Sequence, residues 1–297
     1  MNFQFLFLKE AILVDVNFLL GTKIKTLINT FLIKFMQFIK LRDILNFMKF
    51  KRHLKYRLFK LIFKNYKKFL QILYKHKLNS NLINLIKKEV EIKTVYDIGA
   101  HRGDFSNFLS KTSLKGKDFY LFEANEKNQK FLNKFNFKYF IEVLSDKKKV
   151  VQFYSKPHES LGGDSYFRET TDIYDDSDST TKITDTLDNI VEKNNLPLPN
   201  FIKIDTQGSE IDILKGATKV ISDCKLIYLE CPLIEYNFES PSLDQYIKYL
   251  ASIDFIPYDI CEVHYIDEML VQIDILFIKK SIFNKIHPGK KNLNILN

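Results

Sequence analysis

The stretch VYDIGAHRGDF, residues 95–105, places an acid near the end of an apolar run and follows that run with a glycine turn. Val95, Tyr96 and Ile98 are typical of a buried strand, and the strand ends at Gly99. The residues after Gly103 have the apolar spacing of a helix. A strand, a tight turn and a helix in this order are typical of an α/β domain with a parallel sheet.

The turn excludes two common classes of phosphate-binding loop. The dinucleotide fingerprint needs GxGxxG, whereas three residues separate Gly99 from Gly103. The sequence also contains no GxxxxGK followed by Ser or Thr, which a P-loop needs. The turn therefore favours a ligand without phosphate that approaches the backbone at Gly99, with Asp97 receiving a cationic or hydroxyl-bearing group.

Strand-like runs continue along the chain with helical stretches among them. They read KDFYLFEAN, YFIEVLSD, NFIKIDTQG, KLIYLECP, IPYDICEV and QIDILFIKK. With the first strand this predicts a mostly parallel sheet of seven strands, covered by helices on both faces. The last two runs leave no room for a crossover helix, so we expect an antiparallel last strand.

The region after the third strand departs from this alternation. VVQFYSK and SYFRET are predicted to form a hairpin joined through PHESLGGD, and the polar stretch at 170–181 a loop. Its DDSD run lacks the glycine and the terminal Glu of an EF-hand. The helix in TDTLDNIVEKN is predicted to be capped by Thr184 or Asp185.

The net charge of +9 is unevenly distributed. Residues 1–90 carry 19 Lys+Arg against 4 Asp+Glu, or +15, and the remaining residues carry 26 against 32, or −6. The chain therefore divides into a basic helical N-terminal extension at 1–90, an α/β domain at 91–280 and a polar tail at 281–297. The three cysteines form no metal-binding spacing and are predicted to be buried thiols of a reducing compartment.

Residues 48–75 have the pattern of a basic amphipathic helix, with nine Lys+Arg and no acid between 49 and 68. Such a helix could contact an anionic membrane surface, or pack on the α/β domain with a solvated basic face. Nucleic acid is the third partner class. The sequence contains no signal-peptide pattern and no membrane-spanning run, so we expect a cytoplasmic protein. Met48 is one candidate for the natural start of the chain.

Acids also follow the second and third predicted strands. Glu123 takes the position of the ribose-binding acid in a nucleotide-binding βαβ unit, and Ser145 with Asp146 could meet an adenine amine. An acidic rim of this kind suits a sulfonium or an amino-acid ammonium group and repels phosphate. The alternative is that each acid only caps the helix that follows its strand.

Two motifs give a resemblance to a known family. VYDIGAHRGDFS and, more specifically, FIKIDTQGSEIDILKGA at 201–217 resemble the FkbM-type S-adenosylmethionine-dependent methyltransferases over residues 92–280, and TLDNI and LIYLE fit in order. The resemblance implies a class I Rossmann-like fold and S-adenosylmethionine as the cofactor. It also implies an oxygen nucleophile on a sugar or on another small metabolite. The family commonly has Glu where this chain has Gln207, and Gln can only orient groups by hydrogen bonds.

The resemblance also implies roles for individual residues. Around the methionine part of the cofactor it places Asp97, Gly99, Ala100 and Gly103. It places Glu123 at the ribose, Ser145 and Asp146 near the adenine, and Asp205 near the transferring methyl group.

The candidates for the catalytic groups stand at strand ends. Asp205 is the first choice of general base, with Lys203 on the same face of the strand, although Asp205 could instead only stabilise the turn at 206–209. Glu230 and His264 follow. Asp205 and Glu230 could approach each other, but without an HxH or HExxH motif we predict a metal-independent site.

The leading hypothesis is therefore O-methylation of a sugar hydroxyl in a surface glycan or its activated precursor, in polysaccharide biosynthesis. The alternatives are a nucleic-acid-binding protein that uses the basic helix, methylation of a non-sugar metabolite, and a domain that keeps the fold without catalysis.

Overall fold

A computed structural model describes residues 77–155, 162–170, 179–235, 237–266 and 268–290. Its helices are α1 (Lys77–Lys87), α2 (Asp104–Lys111), α3 (Gln129–Leu132), α4 (Leu187–Lys193), α5 (Glu210–Lys215), α6 (Leu243–Ser252) and α7 (Lys280–Ile286). Its strands are β1 (Thr94–Ile98), β2 (Asp118–Glu123), β3 (Lys138–Ile141), β4 (Val143–Leu144), β5 (Val150–Tyr154), β6 (Ser179–Asp185), β7 (Phe201–Ile204), β8 (Leu226–Pro232), β9 (Phe255–Ile266) and β10 (Met269–Lys279).

Seven strands form the main sheet in the order β3-β2-β1-β7-β8-β10-β9. β1 pairs in parallel with β2 and β7, and β7 in parallel with β8, whereas β10 runs antiparallel to both of its neighbours. The prediction of a mostly parallel seven-stranded sheet with an antiparallel last strand is therefore confirmed.

The strand order reverses between β1 and β7. The chain first builds outward from β1 to β3 and then returns to the other side of β1 with β7 and β8. At this point the amide of Asp205, just after β7, donates to the carbonyl of Ile98 at the end of β1 (3.1 Å). Open α/β sheets bind their ligands outside the strand ends at such a reversal, so the fold itself indicates where the site lies.

Helices bury both faces of the sheet, which explains why β1 is apolar almost throughout. Tyr96 and Ile98 belong to one hydrophobic cluster, and Val95 belongs to the cluster on the opposite face. All five side chains of β1 are buried, including that of Asp97. Each fully buried aliphatic side chain of this core contributes about 1.5–3 kcal/mol relative to an exposed one.

A small second sheet in the order β4-β6-β5 corrects the predicted hairpin. β5 pairs antiparallel with β6, which lies in the stretch that the sequence predicted as loop and helix start. The predicted partner SYFRET contacts β5 through an isolated bridge between Ser165 and Tyr154, and a second bridge joins Glu169 to Asn237. Because β6 continues to Asp185, α4 starts later than predicted, and its cap is Thr186, whose side chain accepts from the Asn189 amide (3.1 Å).

The domain is framed by helices at both ends of the described chain. α1 contributes Leu82 and Leu85 to the core, although the sequence assigned residues up to 90 to the extension. α7 lies where the sequence placed a polar tail, and Ile282 and Phe283 pack against the same cluster. The predicted basic helix at 48–75 lies outside the described residues. No helix among those described is long and apolar enough to cross a membrane.

The prediction that the three cysteines are buried thiols is confirmed. Cys224, Cys231 and Cys261 are all free and buried.

Candidate active site

A cavity of about 430 Å³ opens where the strand order reverses, at the carboxyl ends of β1, β2, β7 and β8. Gly99, His101 and Glu123 line it on the β1–β2 side. Asp205, Glu230 and His264 line it on the β7–β10 side. Three predicted catalytic candidates and two predicted cofactor residues therefore share one cavity, whose size lies within the range typical of small-molecule sites.

The Gly99 turn forms the floor of the cavity and requires glycine. Its φ of +72° is left-handed, and a Cβ at this position would lie 1.8 Å from the carbonyl oxygen of Asp205. The amides of Gly99 and Ala100 both donate to the Phe122 carbonyl, at 2.9 and 3.0 Å, which ties the turn to β2. The sequence predicted that a ligand approaches the backbone closely at Gly99. In the structure, the backbone of Asp205 just after β7 lies close to Gly99.

Asp97 lies behind this turn and outside the cavity lining. It has no solvent exposure, it accepts a hydrogen bond from Ser106 Oγ (2.6 Å), and its Oδ1 lies 3.3 Å from Lys203 Nζ. The cationic group that faces Asp97 is therefore a lysine of this chain. A carboxylate inside a fully packed strand needs such partners, because an isolated buried charge is strongly destabilising.

Ala100 and Gly103 also lie outside the cavity lining. Ala100 is buried, and Gly103 caps the start of α2 with a φ of +78°. A Cβ on Gly103 would meet the ring of Phe135 at 3.1 Å. Both small residues allow the turn and α2 to pack closely, and the cofactor contact that the resemblance implies for them stays a prediction.

Glu123 is the carboxylate best placed for a ribose. Its Oε2 accepts from the His101 amide (2.6 Å), and its Oε1 accepts from the Asn125 amide (2.7 Å). Burial raises the pKa of Glu123, and the hydrogen bonds from the two amides oppose that rise only in part. The Asn128 side chain also donates to this carboxylate, and Glu123 lines the cavity with accepting capacity left for a ligand hydroxyl.

Ser145 and Asp146 do not line the cavity, contrary to their predicted place near the adenine. The third strand of the main sheet ends at Ile141, and Val143 and Leu144 turn away to pair with β6. The cavity wall on this side is formed by Glu142, Val143 and Leu144.

Ser145 and Asp146 have other partners. Ser145 Oγ lies 3.1 Å from the Tyr166 hydroxyl, and Lys149 Nζ donates to Asp146 (2.9 Å). Burial opposes ionisation of Asp146, but the hydrogen bonds from Lys149 and Ser145 outweigh it and lower the pKa of Asp146. The strand break at Glu142, which an alternating apolar pattern does not reveal, is the reason for the misplacement.

Lys203 is a buried cation that links three groups. Its Nζ donates to the Gly99 carbonyl (2.8 Å) and lies 3.3 Å from Asp97 and 3.4 Å from Asp205. Burial lowers the pKa of Lys203, but Asp205 and Asp97 raise it more, so the side chain stays charged. Lys203 therefore ties the end of β7 to the end of β1 and stabilises Asp205, without itself lining the cavity.

Gln207 joins the two carboxylates at the cavity wall. Its backbone has a φ of 57°, and its Nε2 donates to Asp205 Oδ1 (3.2 Å) and to Glu230 Oε2. Burial opposes ionisation of Asp205, yet Lys203 lowers the pKa of Asp205. Burial and the neighbouring Asp205 and Asp274 charges raise the pKa of Glu230 well above its usual range. Asp205 is thus the first member of the pair to ionise, and Glu230 holds its proton to higher pH.

His264 belongs to a second polar group at the same end of the cavity. Its Nε2 lies 3.0 Å from Asp274 Oδ1, and the Tyr228 hydroxyl donates to Asp274 Oδ2 (2.7 Å). Burial lowers the pKa of His264, but the hydrogen bond and charge of Asp274 raise it more. The sequence analysis missed Asp274, although an acid inside the apolar run QIDILF is a signal that a buried carboxylate has a specific partner.

The family assignment follows from a match to the sequence model of the methyltransferase FkbM domain over residues 97–257, more than half of the chain. The chain belongs to the FkbM methyltransferase family. Membership confirms the resemblance and identifies S-adenosylmethionine as the cofactor of this methyltransferase domain, as predicted. No curated protein matches the chain significantly.

Solved structures of methyltransferases also resemble this FkbM-family chain. A methyltransferase FkbM from Methylobacillus flagellatus KT is 19% identical, with a TM-score of 0.40 over 63% of this chain and 44% of that one. The plantazolicin methyltransferase BpumL in complex with SAH is 15% identical, with a TM-score of 0.40 over 74% and 89% of the two chains. The ChlM methyltransferase from Synechocystis PCC 6803 with bound SAM is 12% identical, with a TM-score of 0.39 over 70% and 82%. The chain thus spans less than half of the first of these proteins.

Proposed function

We propose that this protein is an S-adenosylmethionine-dependent O-methyltransferase that methylates a sugar hydroxyl in a surface glycan or its activated precursor. One observation carries the proposal. A single cavity has a ribose-type carboxylate, Glu123, at one end and the proton-accepting carboxylate Asp205 at the other. The sugar class rests on the family resemblance and on the character of the cavity wall.

The β1–β2 end of the cavity fits the cofactor. Glu123 can accept hydrogen bonds from both ribose hydroxyls, and the apolar side chains of Phe122, Val143 and Leu144 offer a surface for the adenine. When bound, the cofactor supplies a methyl group attached to a positively charged sulfur, and as the S–C bond breaks the sulfur keeps the electron pair and becomes a neutral thioether. The chain therefore has to position an acceptor and receive a proton.

Asp205 is the proposed proton acceptor. It lines the cavity with 39% of its side chain exposed, and Lys203 keeps it ionised, as a general base must be. The proton of the acceptor hydroxyl moves to Asp205, and the electron pair of that O–H bond becomes available for the new O–C bond. General-base assistance of this kind contributes about 10²–10⁴-fold to a rate.

The character of the wall favours a neutral polyhydroxyl acceptor. No Lys or Arg stands among the described residues that line the cavity, whereas six carboxylate side chains do: Glu123, Glu142, Asp164, Glu169, Asp205 and Glu230. Carboxylates and amides accept and donate hydrogen bonds to neighbouring hydroxyls, as sugar recognition requires. They repel phosphates, so the phosphate of an activated precursor would have to lie outside this wall.

The test is a methyl-transfer assay with labelled S-adenosylmethionine on a panel of surface glycans, nucleotide-activated sugars, phenolic metabolites and RNA. We expect transfer to a sugar, with the methyl group on oxygen as located by mass spectrometry. Asp205→Asn should lower kcat by about 10²-fold and leave S-adenosylhomocysteine affinity unchanged. Asp244→Asn, which changes an exposed acid on α6, is the matched control. Transfer to nitrogen or carbon, or only to RNA or phenols, would overturn the proposal.

We also propose that residues 49–75 bring the enzyme to the inner face of an anionic membrane, where lipid-linked precursors are found. The support is the stretch at 49–68, with nine Lys+Arg and no acid. Each basic residue near such a surface contributes about 1 kcal/mol. Full-length protein should float with anionic liposomes, and a variant with the basic residues at 49–68 changed to Gln should not. Equal flotation of both contradicts this.

A further inference from the structure

Three potential metal ligands meet at the acceptor end of the cavity. Glu230 on β8, His264 on β9 and Asp274 on β10 each place one ligand atom within 4.8 Å of the other two. The strand pairing produces this arrangement, because Asp274 pairs directly with Glu230, and His264 pairs with Gln272, two residues from Asp274. Residues two apart on a strand face the same side, so the three side chains project from one face of the sheet.

Two of the three ligands are oriented by neighbouring side chains. The Tyr228 hydroxyl donates to Asp274 Oδ2 (2.7 Å), which leaves Oδ1 directed toward His264 Nε2 at 3.0 Å. The amide of Gln207 donates to Glu230 Oε2, which fixes the orientation of that carboxyl group. Hydrogen bonds of this kind orient metal ligands and are typical of built metal sites.

Acidic side chains outnumber basic ones at this corner of the cavity. Asp205, Glu230 and Asp274 bring three carboxyl groups together, and Lys203 forms its ion pairs with Asp205 and Asp97. In the part of the chain that the structure describes, the ion-pair partner of Asp274 is His264, and Glu230 has no Lys or Arg within ion-pair distance. A divalent cation would take the place of the Glu230 proton and bind between the three side chains.

The cluster is open to the cavity on the side where the acceptor is expected. Glu230 and His264 line the cavity, while Asp274 is almost fully buried behind them. A cation held by three protein atoms on one side keeps coordination positions for ligand oxygens on the other. Vicinal hydroxyls of a sugar have the chemistry to fill such positions, and this part of the inference rests on the proposed function.

We propose that Glu230, His264 and Asp274 bind a divalent cation of the Mn²⁺ type at the acceptor end of the cavity. One imidazole and two carboxylates form a mixed nitrogen–oxygen ligand set, which suits Mn²⁺, whereas Ca²⁺ prefers oxygen ligands alone. The cation then orients acceptor hydroxyls toward Asp205. This replaces the metal-independent site that the sequence predicted.

The test is Mn²⁺ binding to the EDTA-treated full-length chain, without cofactor or acceptor, by calorimetry and by loss of the free Mn²⁺ signal in electron paramagnetic resonance. We expect one Mn²⁺ per chain with micromolar affinity. His264→Ala and Asp274→Asn should each weaken binding by about ten-fold or more, and Tyr228→Phe by a smaller factor. Asp244→Asn serves as the control that leaves binding unchanged.

Two results would overturn the inference: no Mn²⁺ binding by the folded wild-type chain, or binding that His264→Ala and Asp274→Asn leave intact. If either variant fails to fold by circular dichroism, Glu230→Gln and Tyr228→Phe decide in its place. Because the measurement needs no methyl transfer, its failure is separate from that of the proposed function. Methyl transfer without Mn²⁺ binding overturns only the cation site, and Mn²⁺ binding without methyl transfer to a sugar overturns only the proposed reaction.

Discussion

Lys203 Nζ lies 3.3 Å from Oδ1 of Asp97, a carboxylate with no solvent exposure. This buried pair joins the ends of β1 and β7, and the same ammonium group donates to the Gly99 carbonyl at the cavity floor (2.8 Å). Asp97, the acid that stands out most clearly in the sequence, therefore positions the backbone of the site through Lys203. The distinction between a positioning role and ligand contact leads to the first prediction.

Removing the Asp97 side chain should lower the free energy of unfolding, with a smaller effect on cofactor affinity. Asp97→Ala leaves the buried Lys203 with one carboxylate fewer, and breaking a buried pair in this way costs about 3–5 kcal/mol. Urea unfolding measures the change. The matched control is Lys219→Met, which removes an exposed ion pair with Glu192 and should leave the unfolding curve almost unchanged. A stable Asp97→Ala protein that has lost only its cofactor affinity would contradict the positioning role.

Gly99 and Gly116 form a natural comparison, because their φ angles are +72° and +76°. A Cβ on Gly116 meets nothing within 4 Å, whereas a Cβ on Gly99 would lie 1.8 Å from the Asp205 carbonyl oxygen. Gly116→Ala should therefore cost only the backbone strain of about 1–2 kcal/mol. Gly99→Ala should cost clearly more and abolish S-adenosylhomocysteine binding. Equal shifts in thermal melting would argue against close packing of β1 on β7.

The pH dependence of cofactor binding should report on Glu123. Burial raises the pKa of its carboxyl above the usual range, and only the ionised form accepts hydrogen bonds with both oxygens. Affinity for S-adenosylhomocysteine should be highest with Glu123 ionised. The affinity should fall as the pH is lowered through the pKa of Glu123, which lies above the ordinary glutamate value of about 4.3.

Calorimetry across this pH range on wild type and Glu123→Gln provides the measurement. The Gln variant should bind weakly at every pH, because it carries no titrating carboxyl at this position. A wild-type affinity that stays constant while the protein remains folded would exclude Glu123 as the ribose ligand.

Gln207→Glu introduces the residue that is commoner in the family, yet it should destabilise this chain. The Gln207 amide donates to both Asp205 and Glu230, and a carboxylate in its place would accept only. Loss of hydrogen bonds to charged groups lowers the free energy of unfolding by roughly 1.5–3 kcal/mol. Gln152→Glu, an exposed change on β5, is the control. An unchanged or increased stability of Gln207→Glu would show that this corner already holds a compensating positive charge.

The sequence predicts the parallel sheet well because apolar periodicity and the glycine turn act locally. It indicates Gly99, Glu123, Asp205, Glu230 and His264 as candidates near the ends of strands, and all five line one cavity. It fails where pairing partners are distant in the chain. The break at Glu142 depends on β4 joining β6, some forty residues later, and this moves Ser145 and Asp146 off the cavity wall.

The polar contacts inside the site are harder to predict than the strands. The pairing of Asp97 with Lys203 depends on neighbouring strands that are far apart in sequence. The pairing of Asp274 with His264 depends on the irregular register between β9 and β10. A strand-end acid has the same local pattern whether it faces a ligand, a lysine or a helix start. Only the three-dimensional register separates these roles.

The most direct test of the central claim is S-adenosylhomocysteine binding by calorimetry to wild type, Glu123→Ala and Asp146→Ala. We predict that wild type binds, that Glu123→Ala loses binding, and that Asp146→Ala keeps it, because Asp146 pairs with Lys149 outside the cavity lining. A folded wild type that binds no S-adenosylhomocysteine would contradict the account. So would binding that survives in Glu123→Ala and is lost in Asp146→Ala.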